Sequence, residues 1–340
     1  MVTNSLGSFN QLQDVYPKID LKNKKLISHL LKNSRQSFSG MGKNIALSKE
    51  SVLYRFNQLK QKNILLKTYA QVDYVAFGYD MFHILLLLDE KDKIMKQSLF
   101  SSIKNHPQVI QLIEYSGNWD IEIIVIAKNL PDFDLLCEEL LESHETIILK
   151  KEREAVIASI INNSFPEFKV IKKKGSLKKS SSIVKKYDSI DKKILALLNG
   201  DARTSTYSIA PHVGLSADAV GIRIKKMVAS SIILNYTSHL NFSAFGYQGY
   251  VFTFRTGSLS KEEERQIFYY CQNKSEVLSV KRLLGTWDIK MLVVVQNPTQ
   301  LHKLILSFKK DLNVVIKSYQ TWILFKEHYF NSFPKILLKE

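Results

Sequence analysis

"GNWDIEIIVIA" occupies residues 117–127 and "GTWDIKMLVVV" occupies residues 285–295, their first residues 168 positions apart. Sliding the whole chain against itself by 168 extends the match in both directions. Asp20 falls on Asp188, Arg35 on Arg203, Leu47 and Ser48 on Leu215 and Ser216, Val52 on Val220, and Arg55 on Arg223. "AFGY" at Ala76 meets "AFGY" at Ala244, and "NSFP" at Asn163 meets "NSFP" at Asn331. One register holds without a gap, so the chain is a tandem duplication and each unit is read with its twin beside it.

A chain of 340 residues that is 45% hydrophobic has ample material for more than one buried core. The opening stretch "MVTNSLGSFNQLQDVY" lacks the basic-then-apolar order of a secretory signal, and runs such as "ILLLL" at Ile84 are too short to span a bilayer. Cys137 and Cys271 do not correspond under the offset and have no metal or redox spacing. They read as reduced core thiols of a cytosolic protein.

The formal net charge of +16 is unevenly spread. Residues 1–168 carry 20 basic and 20 acidic groups, whereas residues 169–186, "KVIKKKGSLKKSSSIVKK", carry eight lysines and no acid. That segment reads as a basic flexible linker. Within the first unit, residues 18–67 carry 12 basic groups against two acidic ones, and residues 68–168 carry 8 against 17. One half is suited to a polyanion and the other avoids it.

Each unit opens with a capping acid and apolar residues at helical spacing: Leu26 and Leu30 after Asp20, and Ile194, Leu197 and Leu198 after Asp188. A short helix follows near residues 38–45 and 207–213. It carries Gly40 and Gly42 in the first unit and Pro211 in the second, residues that disfavour a helix interior. A third helix begins after Ser48 or Ser216, both natural N-caps. Val52, Phe56 and Leu59, or Val220, Ile224 and Met227, form its buried stripe. The spacing then turns Ser51, Tyr54, Asn57 and Gln58 outward in the first unit, with Arg55 on the flank and Lys43, Lys49 and Lys60 within or beside the helix. The matching outward set is Ala219, Ile222, Lys225 and Lys226, with Arg223 flanking. "ILLKTYAQV" and "IILNYTSHL" are expected to add a two-strand wing to each set of three helices, giving a winged helix-turn-helix.

The rest of each unit alternates strand, helix, strand, Gly-x-Trp-Asp turn, strand, helix, strand. The predicted fold is therefore α+β: two tandem units, each a winged helix-turn-helix followed by a ferredoxin-like β-α-β-β-α-β domain. The expected boundaries are 17–67 and 68–168 for the first unit, 169–186 for the linker, and 187–235 and 236–335 for the second. One bare sheet face per unit calls for a cover, and the other unit's sheet supplies it as an intrachain pseudo-dimer.

Taken together, "YDSIDKKILALLNGDART", "VGLSADAVGIRIKKM" and "GTWDIKMLVVV", with "LSKESVLYRF" and "GNWDIEIIV" at matching places in the first unit, resemble the leucine-responsive regulator / AsnC (feast-famine) family of transcription regulators. The resemblance covers nearly the whole chain twice. It implies double-stranded DNA as a partner for the three-helix heads and pairing through the sheets, with further homo-oligomers open. It also implies an amino-acid-like effector near the turn, at Gly117 and Asp120 or Gly285 and Asp288. The same residues read equally as turn chemistry: a glycine for a tight hairpin, a packed Trp and a capping Asp.

Two other readings stand beside it. The sirohaem decarboxylases are similar to this family and also occur as paired units, and such an enzyme needs proton donors in the domain cleft. The strands next to the turns, "VIQLIEYSGNWD" and "VLSVKRLLGTWD", contain no histidine, His83 is matched by Val251, and Lys281 and Arg282 read as a cationic pair on a surface strand. The third reading is an interaction scaffold with decayed helical heads, which the charge of residues 18–67 opposes. No cofactor, metal cluster or catalytic set is expected.

Overall fold

A computed structural model of the chain describes residues 19–168, 185–312 and 314–339. The first unit runs α1 (Leu21–Lys32), α2 (Phe38–Ile45), α3 (Lys49–Gln61), β1 (Leu65–Val72), β2 (Asp80–Leu88), α4 (Lys93–Asn105), β3 (Val109–Ser116), β4 (Ile121–Ala127), α5 (Leu130–Leu141) and β5 (Ile148–Ile161). The second repeats this order as α6 (Ser189–Gly200), α7 (Thr206–Val213), α8 (Ala217–Ala229), β6 (Ile233–Leu240), β7 (Gln248–Thr256), α9 (Lys261–Gln272), β8 (Val277–Leu284), β9 (Ile289–Val295), α10 (Pro298–Asp311) and β10 (Ile316–Phe330). Most of the expected linker, residues 169–186, lies outside the described residues. At its end the backbone N–H of Lys185 donates to Ala76 O at 3.0 Å.

Side-chain alternation decides the layers. Phe82, Ile84 and Leu86 of β2 face α4 and α5, together with Ile121, Ile123 and Val125 of β4. Phe252, Phe254, Met291 and Val293 do the same beneath α9 and α10. The alternate residues, such as Leu85, Ile124, Val251 and Val294, share a different cluster on the opposite faces. Those faces meet. Each four-stranded antiparallel sheet has the order expected of a ferredoxin-like domain, and β5 pairs β8 while β10 pairs β3. The eight strands close into one barrel, which leaves neither sheet with an open edge.

The wings differ from expectation. Neither unit builds a two-strand wing; each contributes the single eight-residue strand β1 or β6, and these pair antiparallel with each other from Leu65–Leu240 to Val72–Ile233. An isolated strand would leave its backbone donors and acceptors unpaired, and the twin strand satisfies them. The pairing crosses the units: Thr237 and Ser238 of β6 donate to Leu31 O and Leu30 O at the end of α1. A reciprocal clamp adds to it. The Arg35 guanidinium donates to Ala202 O and Thr204 O, and its counterpart Arg203 donates to Ser34 O and Gln36 O while lying 3.9 Å over the Phe38 ring. Among the described residues no helix is long and apolar enough to cross a membrane.

Candidate nucleic-acid interface

The third helix of each head is placed by its sequence. Ser48 and Ser216 accept from the N–H groups of Ser51 and Ala219, capping α3 and α8. Val52, Phe56 and Leu59, and their counterparts Val220, Ile224 and Met227, are buried against the other helices of each head. The opposite faces are open. Tyr54 is 66% exposed on α3 and Ile222 is 67% exposed at the corresponding place on α8. Lys43, Lys49 and Asn57 are exposed in the first head, with Ser51 and Gln58 half-buried. Lys225 and Lys226 are exposed in the second, where Ala219 is half-buried.

Some cationic candidates are engaged within the protein. Arg55 donates to Asp20 Oδ2 at 2.7 Å and to Asn23 Oδ1 at 3.0 Å, tying α3 to the start of α1. Arg223 repeats this with Asp188 and Asp191 at 2.7 and 2.9 Å. Lys60 lies 3.6 Å from Asp201 of the other unit and over the Phe56 ring. Lys43 and Lys49 have no ion pair among the described residues.

The turn before the third helix is built differently in the two heads. A Cβ on Gly42 would fall 2.4 Å from Leu47 O, so close backbone approach explains a glycine inside α2. Its counterpart is Ala210. At the helix end the choice reverses: Gly214 has φ +67°, while Ala46 takes φ +54° and carries left-handed strain. Pro211 sits in the second turn of α7, not the first, at an exposed position near its C-terminal end. The helix tolerates it by forgoing one hydrogen bond, to Tyr207 O.

Both Gly-x-Trp-Asp turns lie where the units meet. A Cβ on Gly117 would touch Trp322 of β10, and one on Gly285 would lie 3.1 Å from Glu154 Cγ of β5. Asp120 Oδ2 accepts from Leu88 N and Asp288 Oδ2 from Thr256 N, each at 2.7 Å. These carboxylates thus fasten the hairpin to the end of β2 or β7, and Trp119 and Trp287 are buried.

The barrel's centre holds a polar group whose core, Glu122, Glu154 and Lys290, the sequence alone did not single out. Lys290 Nζ donates to Glu122 Oε1 at 2.8 Å and Glu154 Oε2 at 2.6 Å. Glu122 also accepts from Tyr115 and from His83 Nδ1. That fixes the His83 tautomer, because Nε2 must then accept from the Lys281 ammonium 3.0 Å away. Burial and Lys281 drive the imidazole pKa down to about 3, so His83 is neutral. Burial alone would raise Glu122, but Lys290 and His83 hold it ionised, well below its ordinary range. Burial, outweighing Lys290, raises Glu154. Lys281 therefore points into the barrel rather than lying on a surface strand, and burial lowers its pKa to about 8. His83, Glu122 and Glu154 have metal-ligand spacing. The Lys290 ammonium already lies within hydrogen-bond distance of both carboxylates, in the place a cation would take.

Comparison with known proteins agrees with this architecture of helix-turn-helix heads on a paired-sheet body. The model of the AsnC-type helix-turn-helix domain matches residues 188–228. An HTH-type transcriptional regulator of Mycobacterium tuberculosis is 33% identical over 103 residues, covering 30% of this chain and 68% of that protein. The regulatory protein AsnC of Haemophilus influenzae is 29% identical over 136 residues, covering 40% of this chain and 89% of its own. The chain belongs to the leucine-responsive regulator / AsnC family. Over both units, the crystal structure of the sirohaem decarboxylase NirDL superposes with a TM-score of 0.59, covering 94% of this chain and 97% of that one at 10% identity. At that identity the likeness is one of fold.

Proposed function

We propose that the chain is a DNA-binding transcription regulator in which one polypeptide supplies both heads of the reading unit, and that the first head holds DNA more strongly. The observation that carries this reading is the open face of α3, where Lys49, Tyr54, Asn57 and Gln58 stand, with Lys43 of α2 also exposed, on a segment of net charge +10. The equivalent face of α8 offers Ala219, Ile222, Lys225 and Lys226 on a segment, residues 187–235, of net charge +2. Phosphate neutralisation sets non-specific affinity, and different side chains meet different base edges. The two half-sites therefore differ in sequence and in strength. In this reading Ser48, Ser216, Arg55 and Arg223 hold the heads in shape, and Lys60 joins them. Selection of bound duplexes from random DNA, followed by footprinting, tests it: an asymmetric site is expected, and a perfect palindrome bound equally by both heads refutes it.

The Gly-x-Trp-Asp turns serve in this reading as hairpin fasteners, since both carboxylates are already bonded to backbone N–H groups. A small effector would have to displace those bonds. Calorimetric titration with a panel of amino acids tests for one.

The NirDL superposition over 94% of the chain favours a second reading, a tetrapyrrole decarboxylase. Against it, the inward groups Glu122, Glu154 and Lys290 are bonded to one another. Anaerobic incubation with sirohaem decides: carbon dioxide release would establish the enzyme.

A further inference from the structure

At the barrel's centre, positions that correspond under the 168-residue offset face each other with unlike chemistry. Glu122 and Lys290 are such a pair, and they bond directly at 2.8 Å. Glu154 and Trp322 are another; Lys290 bonds the first at 2.6 Å and lies 5.5 Å over the ring of the second. Around Lys290 the division is clear, and the second unit's own buried carboxylate, Glu327, is taken up by His239 and Gln111 instead. The first unit supplies the two carboxylates with Tyr115 and neutral His83, and the second supplies both ammonium groups, Lys281 and Lys290. Lys281 corresponds to Ile113, His83 to Val251 and Tyr115 to Leu283.

We propose that this polarity is a pairing code: the inner sheet face of a first unit accepts only a second unit, from its own chain or from another copy, and never another first unit. Were two first units to close such a barrel, two Glu122 and two Glu154 side chains would be buried together without a cation. Two second units would bring two Lys281 and two Lys290 ammonium groups together without Glu122 or Glu154, and Glu327 is already engaged by His239. Buried charge is tolerated only when paired and hydrogen-bonded, so both like-with-like barrels are excluded, whereas the apolar remainder of the interface would permit them. A duplicated chain needs such a device, since its two halves descend from one self-complementary surface.

Charge reversal in the full chain tests the code. Lys290→Glu makes both inner faces acidic, and Glu122→Lys makes the first face more basic. Produced alone, each variant is expected to lose the wild-type unfolding transition. Produced together with different tags, they should copurify as a one-to-one complex of twice the chain mass. That complex recreates one native centre, from the Glu122 unit of the first variant and the Lys290 unit of the second. Wild-type unfolding midpoints for both single variants would overturn the proposal, as would soluble variants that form no mixed complex. Should neither be recovered in soluble form, a neutral series decides. Lys290→Met combined with Glu122→Gln must then be more stable than Lys290→Met alone, and a double variant no better than the sum of its parts overturns the code.

Discussion

Replacing Lys43 and Lys49 together with alanine is expected to flatten the dependence of log affinity on log salt by about 1.8, because each lost phosphate contact removes about 0.9. From 50 to 200 mM salt, the wild-type chain should then lose about 12-fold more affinity than the variant. The structure selects these two lysines. Both are exposed and carry no ion pair among the described residues, whereas Arg55 is engaged with Asp20 and Asn23, and Lys60 with Asp201. Arg55→Ala should therefore change the slope by less than one contact's worth and act instead by loosening α1 from α3. Arg223→Ala, which frees Asp188 and Asp191, should behave the same way in the second head. Fluorescence anisotropy on a selected duplex, titrated at several salt concentrations, measures all three slopes. If Arg55→Ala flattened the slope as much as the lysine pair, or if the pair left it unchanged, the assignment of phosphate contacts to the free lysines would be wrong.

Ala46→Gly should stabilise the first head by about 1 kcal/mol and Gly214→Ala should destabilise the second by a similar amount, read by chemical denaturation, because both positions are left-handed. Arg203→Ala should cost about 1–3 kcal/mol, since it removes the partner of Ser34 O and Gln36 O and uncovers the Phe38 ring. Lys281 supplies a pH test. Its folded pKa, lowered by burial to about 8, lies below the ordinary 10.5, so between those values the unfolded chain binds more protons and stability should rise with pH. Thermal unfolding of Lys281→Met should show a smaller rise. Some rise should remain, because burial also lowers Lys67 to about 8.

The repeat, the order of elements and the buried stripes of α3 and α8 were legible because they rest on local periodicity and on one alignment register. The partner of β1 was not. An eight-residue alternating strand specifies which side chains point inward but not whose edge completes it, and the tandem copy offered an equally good edge. Lys281 was misread for a related reason. The β5–β8 ladder shifts register between Val156 and Ala158, and β8 has its own irregularity between Val277 and Ser279, so simple alternation does not tell which face its residues take. The central ion group did leave a trace. Glu122 in "DIEIIV" aligns with Lys290 in "DIKMLV", a charge reversal inside otherwise apolar strands. Reading it required knowing that the two positions touch, which only the closed barrel supplies.

Strand exchange between the heads has a consequence for how the chain matures on the ribosome. The first head's helices end at Gln61, yet the strand that pairs β1 and caps α1 is β6, finished at Leu240. At about 5–20 residues per second, roughly 10–40 seconds separate the two events. The barrel waits longer still, since β3 gains its outer neighbour only when β10 arrives. Contacts this distant in sequence make folding slow, and apolar strand faces and open edges persist while synthesis continues. The nascent first unit, bearing an acidic inner face that repels its own kind, is thereby kept from pairing with neighbouring nascent copies on the same message until its proper second half emerges.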